Sequence, residues 1–501
     1  MGVDAYRVQV EVDLARGLPH FATVGLAEGA VREARVRVES AIKNAGLDFP
    51  PRRIAVNLAP ADVRKAGTGF DLPMALALVS AGEPFDLERL HNTLVVGELG
   101  LDGLVRRVPG ALSMAVMARQ QGLAQMLCPA DCAAEAAVVG GVEVLPVRSL
   151  AEAVAHFGQG ERLQPLAVDP GQVLRQAEVH GVDFAEVRGQ QHAKRALEVA
   201  AAGGHNLLMV GPPGSGKTML ARRLPTILPP LTFDEAIETT KVYSILGLTG
   251  DGSALVARRP FRAPHHTVSD AGLVGGGSLP RPGEVSLAHN GVLFLDELPE
   301  FRKNVLEVLR QPLEDGQVTI ARSSMTVSFP AELMLVAAMN PCPCGYLSDP
   351  SHDCLCSNQS IQHYRSRVSG PLLDRIDIQV EVPAVAYAEL TRTTRGEDSA
   401  AIRRRVVTAR ARQRERFGEQ SAVRANAQLP AAQAQRICRL GAAEHRLLEA
   451  AMQRLGLSAR AYVRVLRVAR TIADLAASER IEAGHLAEAI QYRSLDRPLA
   501  A

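Results

Sequence analysis

Short apolar runs of strand and helix length fill the first third of the chain. Predicted strands cover residues 8–14, 54–58, 94–99 and 142–145, and predicted helices cover 31–45 and 72–81. We therefore expect a self-contained α/β domain over residues 1–165. A stretch near 160–180, in which Pro and Gln interrupt the pattern, predicts a linker.

The pattern changes twice in the remainder of the chain. From 184 to 385, apolar runs that end in polar residues are typical of buried parallel strands. From 386 to 501 no strand pattern occurs, and Ala, Arg and Leu are abundant, which predicts helices. The expected fold class is therefore α/β, with an N-terminal α/β domain, a doubly wound central domain and a C-terminal helical lid.

The most specific chemical motif follows the first central run, Leu207–Val210. The next eight residues are Gly211, Pro212, Pro213, Gly214, Ser215, Gly216, Lys217 and Thr218. The glycines let the backbone curl so that its N–H groups point inward around a phosphate. Lys217 supplies charge to the β- and γ-phosphates, and Thr218 supplies a hydroxyl to Mg²⁺. The motif predicts a P-loop that binds ATP or GTP with Mg²⁺.

A second apolar run, Gly291–Leu295, ends in the acidic pair Asp296 and Glu297. In a P-loop enzyme the first acid holds Mg²⁺ through water. The second acid is placed to polarise the attacking water. The pair therefore favours nucleotide hydrolysis over a simple binding switch.

Two further candidates are ambiguous from the pattern alone. A third run, Leu333–Met339, ends at Asn340, whose amide is placed to contact the γ-phosphate or to orient water. Arg375 lies in a short apolar frame, and an arginine delivered from a neighbouring subunit would stabilise charge on the transferring phosphoryl group. A surface ion pair is the simpler interpretation of Arg375.

Composition narrows the setting of this chemistry. The chain has 501 residues and a formal net charge of +2, so contact with nucleic acid would need a local basic patch. No uninterrupted apolar run reaches the roughly 20 residues of a membrane span, and the N-terminus lacks the pattern of a signal peptide. We expect a cytoplasmic protein that does not enter a membrane.

Four of the seven cysteines form a cluster, namely Cys342, Cys344, Cys354 and Cys356. Four thiolates bind Zn²⁺ tetrahedrally, and the Gly and Pro residues nearby suit the tight loops required. The Cys-x-Cys spacing differs from the common Cys-x-x-Cys, and His352 is an alternative ligand. The cluster predicts a structural zinc ion that fixes a loop near Asn340, with free thiols as the alternative.

The order of these motifs resembles that of AAA+ ATPases, in the branch that contains the magnesium-chelatase ATPase subunit and the MCM helicases. The match is closest to the ComM/YifB family and covers essentially the whole chain. Besides the P-loop and the Asp–Glu strand, it is carried by Gly189–Leu197, Phe261–His266, Asn340–Gly345, Ser369–Asp377, Ser458–Ala461, Gly17–Phe21, Asn57–Asp62 and Asp71–Pro73.

The resemblance implies a ring, expected to be a homohexamer, with ATP and Mg²⁺ held between subunits. By analogy Asn340 is sensor 1, Arg375 is the arginine finger and Arg460 is the sensor-2 arginine. The implied partner is single-stranded or branched DNA, and the implied activity is a branch-migration helicase that acts in natural transformation and recombination. Relatives carry a few more residues before the strand near Met1, so the first strand of the N-terminal domain is expected to be missing.

Two irregular segments match the places where the MCM-like branch inserts DNA-gripping pore loops. They are residues 259–290 and 318–329, the latter predicting a hairpin around residues 323–324. Arg262 and Arg322 are candidate phosphate contacts, with solvated loop charges as the alternative. The arginines of 403–416 are a third candidate, for which a solvated helix surface is the simpler interpretation.

Two other functions fit parts of the resemblance. A chelatase-type ATPase remodels a partner protein, but the chelatase subunit begins close to its P-loop, whereas here an additional domain precedes it. That N-terminal domain resembles the Lon protease domain and ribosomal-protein-like α/β folds. Lon-type proteolysis needs a serine at a fixed distance before its lysine base, and neither Lys43 nor Lys65 has one. We expect a non-proteolytic domain.

Overall fold

The computed structural model describes residues 2–176, 181–250, 252–277, 280–322, 325–347, 349, 352–385, 389, 396–418 and 421–493. Its two compact units do not follow the chain in order. The first comprises Met1–Ala177 and Thr232–Ala257, and the second comprises Glu178–Leu231 and Arg258–Ala501. A segment of the predicted central domain therefore packs with the N-terminal part of the chain.

The strands of the described residues follow in chain order. They are β1 (Gln9–Ala15), β2 (His20–Val24), β3 (Arg53–Ala59), β4 (Thr93–Val95), β5 (Glu98–Leu99), β6 (Val105–Arg106), β7 (Gln125–Pro129), β8 (Glu143–Val147), β9 (Leu207–Val210), β10 (Phe261–Arg262), β11 (Gly275–Gly276), β12 (Arg281–Pro282), β13 (Val292–Leu295), β14 (Gln317–Arg322), β15 (Met325–Pro330), β16 (Met334–Met339) and β17 (Ile378–Glu381).

The α-helices of the same residues alternate with these strands and then follow them. They are α1 (Gly29–Arg32), α2 (Ala34–Asn44), α3 (Asp71–Val79), α4 (Leu87–His91), α5 (Ala111–Gln120), α6 (Ala130–Ala137), α7 (Leu150–Phe157), α8 (Pro170–Gln176), α9 (Gln191–Gly203), α10 (Lys217–Arg223), α11 (Phe233–Ile245), α12 (Asp270–Val274), α13 (Glu284–Leu287), α14 (Lys303–Glu307), α15 (Arg310–Asp315), α16 (Asn358–Ser366), α17 (Gly370–Leu373), α18 (Ser399–Phe417), α19 (Ala431–Ile437), α20 (Ala442–Leu455), α21 (Ala459–Leu475) and α22 (Ala483–Gln491). Short 3₁₀ turns lie at Phe184–Glu186, Leu224–Thr226, Leu298–Glu300 and Asn426–Gln428.

The first unit contains two three-stranded sheets. In one, β3 lies between antiparallel β1 and parallel β2, which confirms the strands predicted over 8–14 and 54–58. The other is parallel, in the order β4-β7-β8. The buried residues of α2 and α3 join those of β3 in one apolar core.

The single strand predicted over 94–99 is wrong. The segment forms β4, which pairs with β7, and β5, which pairs with β6. The break falls at Gly97, whose N–H donates to the carbonyl oxygen of Gly69 and whose carbonyl accepts from Leu72 N–H. These two bonds use the N–H and C=O groups of Gly97, which would pair with adjacent strands if residues 94–99 formed one continuous strand.

The residues of α11 join the first unit through a buried carboxylate. Glu135 of α6 is 2% exposed and accepts hydrogen bonds from Leu112 N–H (3.1 Å), from the hydroxyl of Thr249 (2.7 Å) and from the hydroxyl of Ser244. Arg107 lies 3.6 Å from the same carboxylate. A buried carboxylate with several donors is costly to disturb, so these contacts fix the 232–257 segment to the first unit.

The second unit is built on a five-stranded parallel sheet in the order β10-β13-β16-β9-β17. β9, β13 and β16 are fully buried runs, as the sequence predicts. Two antiparallel ribbons, β11-β12 and β14-β15, lie outside this sheet, and α18 to α22 form the helical C-terminal part. The α/β fold class with a parallel P-loop sheet and a helical C-terminal region is confirmed.

Among the described residues, no helix combines the length and the apolar run needed to cross a bilayer.

Candidate nucleotide site

The phosphate-binding loop turns tightly between β9 and α10. Gly214 and Gly216 adopt φ angles of 75° and 91°, which favour glycine. The hydroxyl of Ser215 is buried and has no hydrogen-bond partner. Gln190, just before α9, donates to the carbonyl oxygens of Ser215 (3.3 Å) and Pro383 (2.6 Å). Gln190 lies outside the P-loop motif, yet its hydrogen bond to Ser215 stabilises the loop.

Lys217 lies inside this loop and is only 8% exposed. Its Nζ donates to the carbonyl oxygens of Gly211 (2.8 Å) and Pro212 (2.9 Å) and lies 3.3 Å from Asn340 Oδ1. Burial lowers the pKa of Lys217, and the carboxylates of Asp296 and Glu297 oppose that shift. The ammonium group is therefore held at the loop, next to Asn340, which follows the neighbouring strand β16.

The two predicted Mg²⁺ ligands meet directly. The hydroxyl of Thr218 donates to Asp296 Oδ2 at 2.6 Å, although the two residues are far apart in the chain. A hydroxyl and a carboxylate oxygen are hard ligands of the kind that Mg²⁺ prefers. Parallel packing explains the meeting, because β9 and β13 flank β16 and all three strands end at the same edge of the sheet.

Glu297 follows Asp296 with a left-handed backbone, at a φ of 53°. Its side chain is 59% exposed, and its Oε2 lies 3.5 Å from Nδ1 of His266. His266 follows β10, the parallel neighbour of β13. The family motif Phe261–His266 assigns no individual role to His266, yet its position after a strand adjacent to the Asp–Glu strand places it near Glu297.

Within the described part of the chain, the Arg375 side chain bonds to other groups than these. Its side chain is 7% exposed, and it donates to the carbonyl oxygens of Pro371 (2.6 Å) and Arg310 (3.2 Å) and pairs with the carboxylate of Glu314. The bond from Arg375 lowers the pKa of Glu314, and the charges of Arg375, Arg460 and Arg310 lower it further. Arg460 lies exposed in the first turn of α21. Both predicted arginines therefore act on one carboxylate that the sequence analysis missed.

The four cysteines of the predicted zinc site come together. Their sulfur atoms all lie within 4.8 Å of one another, and none forms a disulfide. The backbone N–H of Tyr346, with smaller help from the neighbouring thiols, lowers the pKa of Cys344 to about 6. Backbone hydrogen bonds lower the pKa values of Cys354 and Cys356, but burial and hydrogen bonds with the neighbouring thiols outweigh them and raise both values. It is therefore the convergence of the four sulfur atoms that makes the cluster compatible with Zn²⁺. The alternative ligand, His352, instead lies 3.5 Å from Asp349.

The candidate DNA contacts differ in how far they are already paired. Arg262 makes two hydrogen bonds, of 2.6 and 2.8 Å, to the carboxylate of Glu284. Arg322 is exposed at the end of β14, and the predicted hairpin tip at 323–324 lies outside the described residues. Four of the arginines in 403–416 bond to carboxylates or carbonyls of their own unit, namely Arg405, Arg410, Arg412 and Arg416.

A parallel sheet with a P-loop after β9, an Asp–Glu pair after β13 and an asparagine after β16, the strand between them, defines an AAA+ P-loop protein. The chain belongs to the magnesium-chelatase-like family, in the ComM/YifB group. Family models match residues 183–390 (magnesium chelatase, subunit ChlI), 10–132 (subunit ChlI of Mg-chelatase) and 396–493 (magnesium chelatase, subunit ChlI C-terminal).

Two of the similar proteins match the whole chain, and a third matches part of it. It is 45% identical over 505 residues to competence protein ComM of Haemophilus influenzae, covering 100% of this chain and 97% of that protein. It is 43% identical over 500 residues to the uncharacterized protein YifB of Escherichia coli, covering 100% of this chain and 96% of that one. The magnesium-chelatase 38 kDa subunit of Rhodobacter capsulatus is 26% identical over 177 residues, which cover 32% of this chain and 50% of that subunit.

Proposed function

We propose that the chain is an ATP hydrolase. The observation that carries this proposal is the 2.6 Å bond between Thr218 and Asp296 beside the ammonium group of Lys217. In the proposed reaction Lys217 binds the β- and γ-phosphates, and Thr218 and Asp296 would hold Mg²⁺, which would supply positive charge opposite the phosphates. Glu297 polarises the attacking water, and Asn340 orients it or contacts the γ-phosphate.

We further propose that the active site is completed by a second copy of the chain, in a homohexameric ring. Arg375 and Arg460 would then reach the nucleotide of the neighbouring subunit, as arginine finger and sensor 2. The ion pair of Arg375 with Glu314, and the charge of Arg460 that acts on the same carboxylate, support this assignment. Arg375 must leave Glu314 before it can reach a phosphate.

The proposed substrate of this motor is DNA, most specifically branched DNA that it moves by branch migration. The name of the 45% identical relative, competence protein ComM, supports a role in natural transformation. The surface that supports DNA contact is formed by the ribbons β11-β12 and β14-β15. Arg281 and Arg322 are both exposed there, and Gly275 of β11 approaches Ile320 of β14 closely. Two exposed guanidinium groups on neighbouring ribbons suit phosphate oxygens.

The test is ATP hydrolysis by the full chain with Mg²⁺, alone and with single-stranded, forked or four-way-junction DNA. The proposal predicts stimulation that weakens as salt rises, because phosphate contacts release counterions. Lys217→Ala is the control for hydrolysis and Arg322→Ala is the control for DNA contact. Hydrolysis that no DNA changes would instead favour a protein-remodelling ATPase of the magnesium-chelatase type, which the similarity to the 38 kDa subunit supports.

We also propose that the cysteine cluster binds one structural Zn²⁺ ion through Cys342, Cys344, Cys354 and Cys356. Sulfur–sulfur distances of 3.3 to 3.6 Å among three of them support this proposal, since four sulfurs at the Zn–S distance of about 2.3 Å would lie about 3.8 Å apart. Metal analysis of protein purified without chelator tests it, and clearly less than one equivalent of zinc per chain would count against it.

A further inference from the structure

The cysteine cluster begins two residues after Asn340. β16 ends at Met339, and the first thiol, Cys342, is buried. Between them, the carbonyl oxygen of Pro341 accepts a hydrogen bond of 3.1 Å from Nε of Arg365. This short connection leaves little freedom for Asn340 to move independently of Cys342, so the position of the sulfur atoms affects the position of the amide.

The same loop touches the P-loop at Gly345. This residue has a φ of 87°, and a Cβ built on it would lie 2.6 Å from Cδ of Pro213 and 3.8 Å from Cγ of Asn340. A side chain there would overlap Pro213, so the backbone of the cysteine loop is in direct contact with the phosphate loop. Gly345 follows Cys344, and its N–H donates to the carbonyl oxygen of Cys342 at 3.0 Å.

The sulfur atoms also order the backbone around this contact. The N–H of Leu347 lies 3.4 Å from the sulfur of Cys342, the arrangement by which backbone amides orient metal-bound thiolates. The turn Cys342–Leu347 is therefore fixed at its start by its connection to Asn340 and in its middle by the contact of Gly345 with Pro213. The bond from Leu347 N–H to the sulfur of Cys342 links its two ends. A metal ion that joins this turn to Cys354 and Cys356 would close it.

We propose that Zn²⁺ on the four cysteines controls ATP turnover by holding Asn340 and the P-loop in register. This inference rests on the proposed ATPase function and adds a metal-dependent control of it. Loss of the ion frees the cysteine loop, so Asn340 and Pro213 lose their common support. Nucleotide binding changes less than turnover, because the bond between Thr218 and Asp296 does not involve that loop, whereas the catalytic step needs Asn340 in place.

The experiment compares the full chain as purified, after chelation and return to Mg²⁺, and after re-addition of one equivalent of Zn²⁺. Zinc content, kcat and KM for ATP are measured for each form. We expect kcat to fall by about tenfold or more on removal, KM to change less, and Zn²⁺ to restore kcat. Cys344→Ser should reproduce the metal-free form, whereas Cys438→Ala, a buried cysteine outside the cluster, should not.

A second variant separates the metal from its coupling to the nucleotide. Gly345→Ala should retain zinc yet lower kcat, by up to about a hundredfold if the P-loop shifts by 1 Å. Gly456→Ala is the matched control, because Gly456 also has a positive φ, of 63°, and a Cβ there meets nothing within 4 Å. Equal kcat with and without zinc, or a normal kcat for Gly345→Ala, would overturn the proposal.

A readout independent of activity separates this inference from the ATPase proposal. If the zinc-loaded chain hydrolyses no more ATP than Lys217→Ala, the proposed function fails. The coupling is then judged by amide hydrogen exchange over residues 207–224 without nucleotide. Faster exchange after zinc removal would support the coupling, and unchanged exchange would refute it.

Discussion

Glu314 offers the sharpest test of the proposed subunit arrangement. Its carboxylate pairs with Arg375, and the side chains of the two residues are 56% and 7% exposed. If Arg375 contacts the nucleotide of a neighbouring subunit, this ion pair holds the guanidinium group of Arg375 away from that nucleotide. Glu314→Gln keeps the shape of the side chain and removes the charge, so it should release Arg375 more easily.

The structure limits the size of this effect. A hydrogen bond to a charged group contributes about 1.5–3 kcal/mol, and the exposed carboxylate places this pair below that range, at about 1 kcal/mol. A difference of 1.4 kcal/mol corresponds to about tenfold, so Glu314→Gln should increase the released population by about fivefold. The bonds from Arg375 to the carbonyl oxygens of Pro371 and Arg310 remain and keep the release partial.

The assay is steady-state ATP hydrolysis at several protein concentrations. Glu314→Gln should raise turnover by up to that factor, most clearly where few rings are assembled. Arg375→Ala should lower it by about a thousandfold, the contribution of an arginine finger. Glu186→Gln is the matched control, since Glu186 and Arg223 form a pair of similar exposure, 53% and 12%. If Glu314→Gln loses as much activity as Arg375→Ala, Glu314 positions the arginine and the release model is wrong.

Three other predictions test separate parts of the molecule. Glu297→Gln should bind ATP normally but hydrolyse it at least about a hundredfold more slowly, as expected on loss of a general base; normal turnover would remove that role. Arg322→Ala should weaken DNA binding and reduce the slope of affinity against salt by about one, whereas Arg281→Lys should leave the slope unchanged. Asp474→Ala should lower the free energy of unfolding by about 3 kcal/mol, measured by denaturant, because Arg470 stays buried beside it.

Residues at the ends of parallel strands were predictable from the sequence. Lys217, Asp296 and Asn340 each follow an apolar run, and the carboxyl ends of parallel strands meet at one edge of the sheet. Their contacts follow from strand order alone. The same logic would have placed His266 near Glu297, had the short strand β10 been recognised.

Other features depend on tertiary contacts that carry no local pattern. Glu314 lies on the short helix α15, and nothing near it in the sequence indicates that it faces Arg375. The 232–257 segment follows the P-loop helix directly, yet the buried carboxylate of Glu135 fixes it to the first unit. The division of 94–99 into two strands likewise depends on a distant partner, Gly69. The hydrophobic pattern predicts which residues are buried, but it does not predict which other part of the chain covers them.

The distribution of charged groups within the second unit argues for a site shared between copies. Lys217, Thr218 and Asp296 converge on one another, whereas Arg375 pairs with Glu314 and the charge of Arg460 acts on the same carboxylate. Among the described residues, neither arginine contacts the P-loop. One chain thus carries a nucleotide-binding half and an arginine half at different places. On the proposed assignment, the two halves combine when one face of each copy meets the other face of the next, and repetition of that head-to-tail contact closes a ring where the rotation between copies allows closure. The arginine half is then needed only after assembly. In the unassembled chain, the ion pair with Glu314 compensates the buried charge of Arg375 until that contact forms.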